Sequence, residues 1–246
     1  MYGAGVELVV ISLAALVTAV LSAVAGLGGG IVLLAVIAQF HAPVIAIPIH
    51  GGIQLASNGS RAAILRSHIN WAAVARSSVL LVPASLLGVL VATNMPEDAT
   101  RVVLGCFVLV VTWRPALLKW RGQERPPDNV LVGVGAVSGF LSSTVGASGP
   151  FTSPFFRLFT ATHTAFVATA AASQILTHAS KVGAFTSEGF AIADHLGVMA
   201  LGAAGVSLGT VIGTQLLGRL DEAQLATILK VVLTILAFRL IFQGLT

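Results

Sequence analysis

The chain has 246 residues, 56% of them apolar, and only 22 carry a formal charge, 13 Lys and Arg against 9 Asp and Glu. A soluble domain of this length carries about 60 charged residues, so the composition excludes a soluble enzyme. The net charge of +4 comes from cations in short segments between apolar runs, which speaks of orientation in a membrane and not of a nucleic-acid surface.

Apolar runs fall at about 6–26, 31–40, 43–65, 71–93, 102–118, 130–146, 150–160, 163–185, 195–217 and 224–244. A spanning helix takes roughly 20 residues, so eight use about 160 and leave about 86 for turns, a linker and interrupted segments. The expected fold is all-α, a polytopic membrane protein of about eight transmembrane helices, within a range of roughly seven to ten. The first run contains Ala23-Val24-Ala25, like a signal cleavage site, yet it starts with Glu7 and no cation before it, and so reads as a membrane helix. The runs 31–40 and 150–160 are too short to cross. Cys106, the single cysteine, lies in an apolar run and reads as a small core residue.

The one polar linker is Lys119 to Asp128, and it separates an N-terminal half, 1–118, from a C-terminal half, 129–246. Shifted by 120 residues, the halves match: Leu21-Ser22 with Leu141-Ser142, Gly26 with Gly146, Gly29 with Gly149, Gln54 with Gln174, Ser60 with Ser180 and Arg61 with Lys181. With small insertions Gly88 meets Gly209, and Glu97-Asp98 meets Asp221-Glu222. The ordered set predicts two repeats. An even number of crossings per half makes them parallel and gathers Arg61, Arg66, Arg76, Arg114, Lys119, Arg121, Arg125, Lys181 and Arg239 on one face. An odd number makes them inverted, with the short runs as re-entrant legs, and better explains Glu188 and Asp194 beside the Lys181 loop. Both arrangements stand at this point.

Two features carry chemistry. Gly26-Leu27-Gly28-Gly29-Gly30 breaks one helix before the short run 31–40, and Gly146-Ala147-Ser148-Gly149-Pro150 does the same before 150–160. Broken backbone at membrane depth is tolerated only beside protein or a water-filled cavity, and the N-terminus of a half-helix offers free N–H groups to an anion. The same glycines would also serve close helix packing. The second feature is a polar stripe, His50, Gln54, Ser57, Asn58 and Arg61, with a counterpart in Gln174, Thr177, His178 and Lys181. Polar side chains avoid lipid, so the stripes should face the protein interior. There, Gln54 and Gln174 could equally be interhelical hydrogen-bond glue, and Arg61 and Lys181 snorkelling anchors.

The expected binding set is therefore Gly28, Gly29, Gly30, Gln54, Asn58, Arg61, Ser148, Gly149, Gln174, His178 and Lys181, with Gly26 and Gly146 as hinges. Every carboxylate falls at or near a segment end, so cation transport is not expected. No metal site, cofactor or nucleotide loop is expected, and either stripe histidine could carry a coupled proton. An alternative from another class is a rhomboid-like intramembrane serine protease, in which Ser148 of the Gly146-Ala147-Ser148-Gly149 motif pairs with His178 or His195.

The duplicated glycine breaks, the Gln54 and Gln174 helices and the turns Pro96-Glu97-Asp98 and Leu220-Asp221-Glu222 together resemble the sulfite exporter TauE/SafE family over nearly the whole length. The resemblance implies a multi-pass carrier of the cell inner (plasma) membrane for a small sulfur-containing anion such as sulfite or an organosulfonate, usually an exporter and not an enzyme. Its partners would be that anionic solute and the lipid bilayer, with no nucleic acid and with a homo-oligomer compatible. The second half departs from a glycine-rich run at Ala147-Ser148-Gly149-Pro150, which bears on the substrate.

Overall fold

The computed structural model describes residues 4–25, 29–118, 125–216 and 222–246. Gly26, Gly28 and residues 119–124 of the linker lie outside the described residues. All regular structure among the described residues is helical. In chain order it comprises α1 (Ala4–Ala25), α2 (Gly29–Ile37), α3 (Pro43–Ile64), α4 (Trp71–Ser78), α5 (Leu81–Asn94), α6 (Glu97–Trp113), α7 (Val130–Thr144), α8 (Gly149–Leu158), α9 (His163–Ser187), α10 (Leu196–Leu216) and α11 (Glu222–Gln243).

Local chemistry sets most boundaries. Pro43 and Pro150 occupy the first turns of α3 and α8, where a missing N–H costs nothing. Thr162 caps α9 by accepting from the Ala165 N–H at 3.1 Å, and Asn70 caps α4 by accepting from the Ala73 N–H at 3.1 Å. Glu97 and Asp98 place negative charge in the first turn of α6. Two expected runs change shape. The run 71–93 is two helices, α4 and α5, bent by 46°, and the run 102–118 stops at Trp113, because Pro115 follows and 115–118 tightens into a 3-10 turn.

Each short helix folds back along its predecessor. His41, just after α2, lies 2.8 Å from Glu7 near the start of α1, so the chain returns to the end of the bundle from which it set out. In the second half, Phe151 and Phe155 of α8 share a crevice with Val130, Val134 and Val137 of α7. Just beyond, the Arg125 guanidinium sits 4.6 Å from the Phe159 ring centroid.

The long helices then pair across the halves: α1 with α10, α5 with α7, α3 with α9 and α6 with α11. Small residues let two of these pairs touch backbone to backbone. A Cβ on Gly205 or Gly209 of α10 would strike the carbonyl oxygens of Ser12 and Leu16 of α1, and one on Gly135 or Gly139 of α7 would strike those of Ser77 and Leu81. The contacts advance together along both chains, so α10 runs parallel to α1 and α7 parallel to the α4–α5 segment.

The distribution of polarity is inverted relative to a soluble domain. Val9, Leu13, Leu87, Leu208, Ile235 and Phe238 are each more than half exposed, while His50, Asn58, Thr177, His178 and Lys181 are buried. Cys106 corrects the reading of the sequence: it is exposed, because its neighbour Gly105 takes the inward position of α6 against Ala237 and Ile241 of α11. By length and composition one described helix, Ile192–Gly213 with mean hydropathy 1.8, is long and apolar enough to cross a membrane, and the bent α4–α5 pair would make a second.

Candidate functional site

The starts of α2 and α8 meet at one cavity of about 160 Å³. Gly29, Gly30 and Ile31 border it from the first hairpin, and Ala147, Ser148, Gly149 and Pro150 from the second. First-turn N–H groups have no acceptor earlier in their helix, so α2 brings those of Gly29 and Gly30 to this space, whereas α8 brings that of Gly149, because Pro150 has none and the Phe151 and Thr152 N–H groups donate to the Ser148 carbonyl. Gly146 makes the second break with φ +81, a left-handed conformation that suits glycine, and a Cβ there would lie 2.6 Å from Leu34 Cδ2. Nothing lies within 4 Å of a Cβ built on Gly149, which borders open space.

The walls come from α3 and α9, which bring His50, Gln54, Ser57, Asn58 and Arg61 to face Gln174 and His178. Gln54 sits against the first tip, its Nε2 3.2 Å from where a Gly30 Cβ would be. The Asn58 amide donates to the Gln54 carbonyl oxygen at 3.0 Å, and the Gln174 amide donates to Thr152 Oγ1 at 3.3 Å. Among the described residues no carboxylate lines the cavity. The arrangement can hold a small anion through backbone N–H groups, amides and hydroxyls that stand in for water.

The two ends of the cavity differ. At one end Arg61 is only partly buried and forms no ion pair among the described residues. At the other, His50 and His178 are 2% and 4% exposed, with ring centroids 5.7 Å apart and nearly perpendicular. Behind them Lys181 is fully buried and does not line the cavity. Its Nζ donates to the Gly146 carbonyl oxygen at 3.1 Å, tying α9 to the second tip.

Of the residues expected from sequence, Gly29, Gly30, Gln54, Asn58, Arg61, Ser148, Gly149, Gln174 and His178 thus border one space, Lys181 stands behind it, and Gly28 and Gly26 lie outside the described residues. Sequence reasoning missed Thr18 of α1 and Thr152 and Ser153 of α8, which also line the cavity. The last two had a signal, as adjacent hydroxyl residues two and three positions after Pro150 in a ten-residue helix whose one charge, Arg157, lies at its far end.

The sequence model of the family described as sulfite exporter TauE/SafE matches residues 11–240, nearly the whole chain. The chain belongs to the sulfite exporter TauE/SafE family. No curated protein and no solved structure matches it. Membership makes this TauE/SafE protein a member of a membrane transporter family. It lends nothing to the protease alternative, and neither does the geometry: the Ser148 hydroxyl accepts from Ser138 at 2.8 Å, and no histidine bonds to it among the described residues.

Proposed function

We propose that the protein is a multi-pass inner-membrane carrier that exports a small sulfur-containing oxyanion, sulfite or a compact organosulfonate, through a site between its two repeats. The observation that carries this reading is a single cavity bordered by both helix tips, with an arginine at its open end and no carboxylate among its described lining residues. A volume of about 160 Å³ suits an inorganic oxyanion or the head of a sulfonate. The absence of a carboxylate there disfavours a substrate bearing an ammonium group.

The hairpins support inverted repeats. Each half starts and returns on one face with its hairpin, α1–α2 or α7–α8, and then crosses three times, through α3, α4–α5 and α6 or through α9, α10 and α11. Three is odd, so the second half enters from the opposite face. The parallel run of α10 with α1, and of α7 with α4–α5, agrees. Eight long helical units then enter the bilayer, and α2 and α8 are return legs. Length accounts for the few that qualify as spans on composition alone, since the apolar stretches Gly5–Leu21 and Val130–Thr144 and the 17 residues of α6 all fall short of 18.

Charge supports the export direction. On the face where the cavity opens at Arg61, the loops and helix ends carry Arg66, Arg76, Arg114, Arg125 and Arg157 with Asp128, which pairs with Arg76 and Arg125, while the opposite face carries Glu7, Glu97, Asp98, Glu188 and Asp194 with Arg101 and, toward the end of α11, Arg239. Cations gather on the cytoplasmic side, so the open end faces the cytoplasm, where an exported anion loads. Each negative charge leaving an inside-negative cell gains about 2.3 kcal/mol per 100 mV. The test is counterflow of radiolabelled sulfite in proteoliposomes: a carrier gives saturable, trans-stimulated uptake, and uptake equal to that of protein-free vesicles overturns the reading.

A further inference from the structure

We infer that His50 and His178 form a proton-binding site at the closed floor of the cavity, so that a proton accompanies each anion through the protein. The inference rests on the carrier reading above and concerns a second ligand of the same site. Both imidazoles line the cavity and are buried, and neither ring nitrogen of His50 nor Nδ1 of His178 has a hydrogen-bond partner. Buried polar atoms left unpaired are costly, and titratable groups held inside a membrane protein without partners mark ion and proton paths. Packing alone does not explain the two rings, because an apolar side chain of similar shape would fill the same space at lower cost.

The charges around the pair define how it works. The groups that face it are Lys181 of α9, fully buried behind both rings, and Arg61 at the far end of the same cavity; no carboxylate faces it among the described residues. A second positive charge beside Lys181 is unfavourable while the cavity is empty. An anion arriving at the helix tips reverses this balance, since it attracts the proton across a short, poorly solvated distance. By linkage the proton strengthens anion binding by the same factor. Anion and proton therefore load and leave together, in the same direction, and the negative charge moved per cycle falls by one.

The pair is also placed to report its state to the hairpins. His50 Nε2 lies 3.7 Å from where a Gly30 Cβ would be, at the start of α2, and Lys181 behind the pair is held by the Gly146 carbonyl before α8.

The test uses the full chain in proteoliposomes with the voltage clamped to zero by potassium and valinomycin. Initial rates of radiolabelled sulfite uptake are measured with and without an inward proton gradient, and protein-free rates are subtracted. The wild type should be accelerated by the gradient, whereas His50→Asn and His178→Asn should show the same rate with and without it. His50→Gln is the second variant should His50→Asn fail to yield monodisperse protein. A gradient effect of wild-type size in the variants, or none in the wild type, overturns the inference. A wild type that shows counterflow but no gradient effect leaves the carrier reading standing, whereas loss of counterflow itself overturns both.

Discussion

Arg61 and Lys181 lie 120 residues apart, yet one looks into an open cavity and the other is sealed. Arg61 is partly exposed and unpaired among the described residues. Lys181 is wholly buried between α3 and α9, its Cε 2.7 Å from where a Gly51 Cβ would lie and its Nζ on the Gly146 carbonyl. On the two-repeat reading proposed above, matched residues in unequal surroundings are what a carrier open to one side shows. On the proposed function the two cations then differ in role: the one at the open end attracts the anion, and the one at the closed end holds a hairpin tip through the Gly146 carbonyl.

The largest effect expected from breaking this comparison is at Lys181. Lys181→Met removes a buried cation and strands the Gly146 carbonyl, and sulfite counterflow should fall roughly 100-fold, about 3 kcal/mol. Lys181→Arg, which cannot fit its larger head beside Gly51, should rescue little. Next comes Gly146→Ala, which meets both a left-handed φ and the Leu34 side chain. Strain of about 1–3 kcal/mol should lower the melting temperature measured in detergent by several degrees, at roughly 2–4 °C per kcal/mol.

At the open end the effect should be smaller and of a different kind. Arg61→Gln removes attraction but leaves nothing buried and unpaired, so KM for sulfite should rise about tenfold with little change in the maximal rate, and the loss should shrink as salt is added. The smallest effect belongs to the base of the first hairpin. Glu7→Gln weakens a half-buried contact with His41 and should change thermal stability by less than about 1 kcal/mol, leaving counterflow intact. Equal losses at Arg61 and Lys181 would dissolve the distinction between open and closed ends.

Much of the site was legible because its chemistry is local. A run such as Gly26 to Gly30, or Gly146 to Pro150, breaks a helix whatever surrounds it, and the spacing of Gln54, Asn58 and Arg61 sets one face of α3 without reference to any partner. Cys106 misled because an apolar run says nothing of which side of its helix is buried. That was decided by Gly105, the residue that lets α6 approach α11. Thr152 and Ser153 were overlooked because α8 gains its importance only when it folds back along α7 and turns its first turn toward α9.

The sequence by itself determined the class of the molecule: scarce charge and long apolar runs demand helices with apolar exteriors, and glycine with proline decides where two of them are interrupted. Only the tertiary structure decided that the first turns of α2 and α8 share one cavity, that the hairpins return to opposite ends, and that Arg61 opens onto the cavity while Lys181 lies behind its floor. The reason is one of range. Backbone breaks and helix faces follow from interactions within a few residues, whereas a cavity exists only where segments more than a hundred residues apart in the chain fail to fill the space between them.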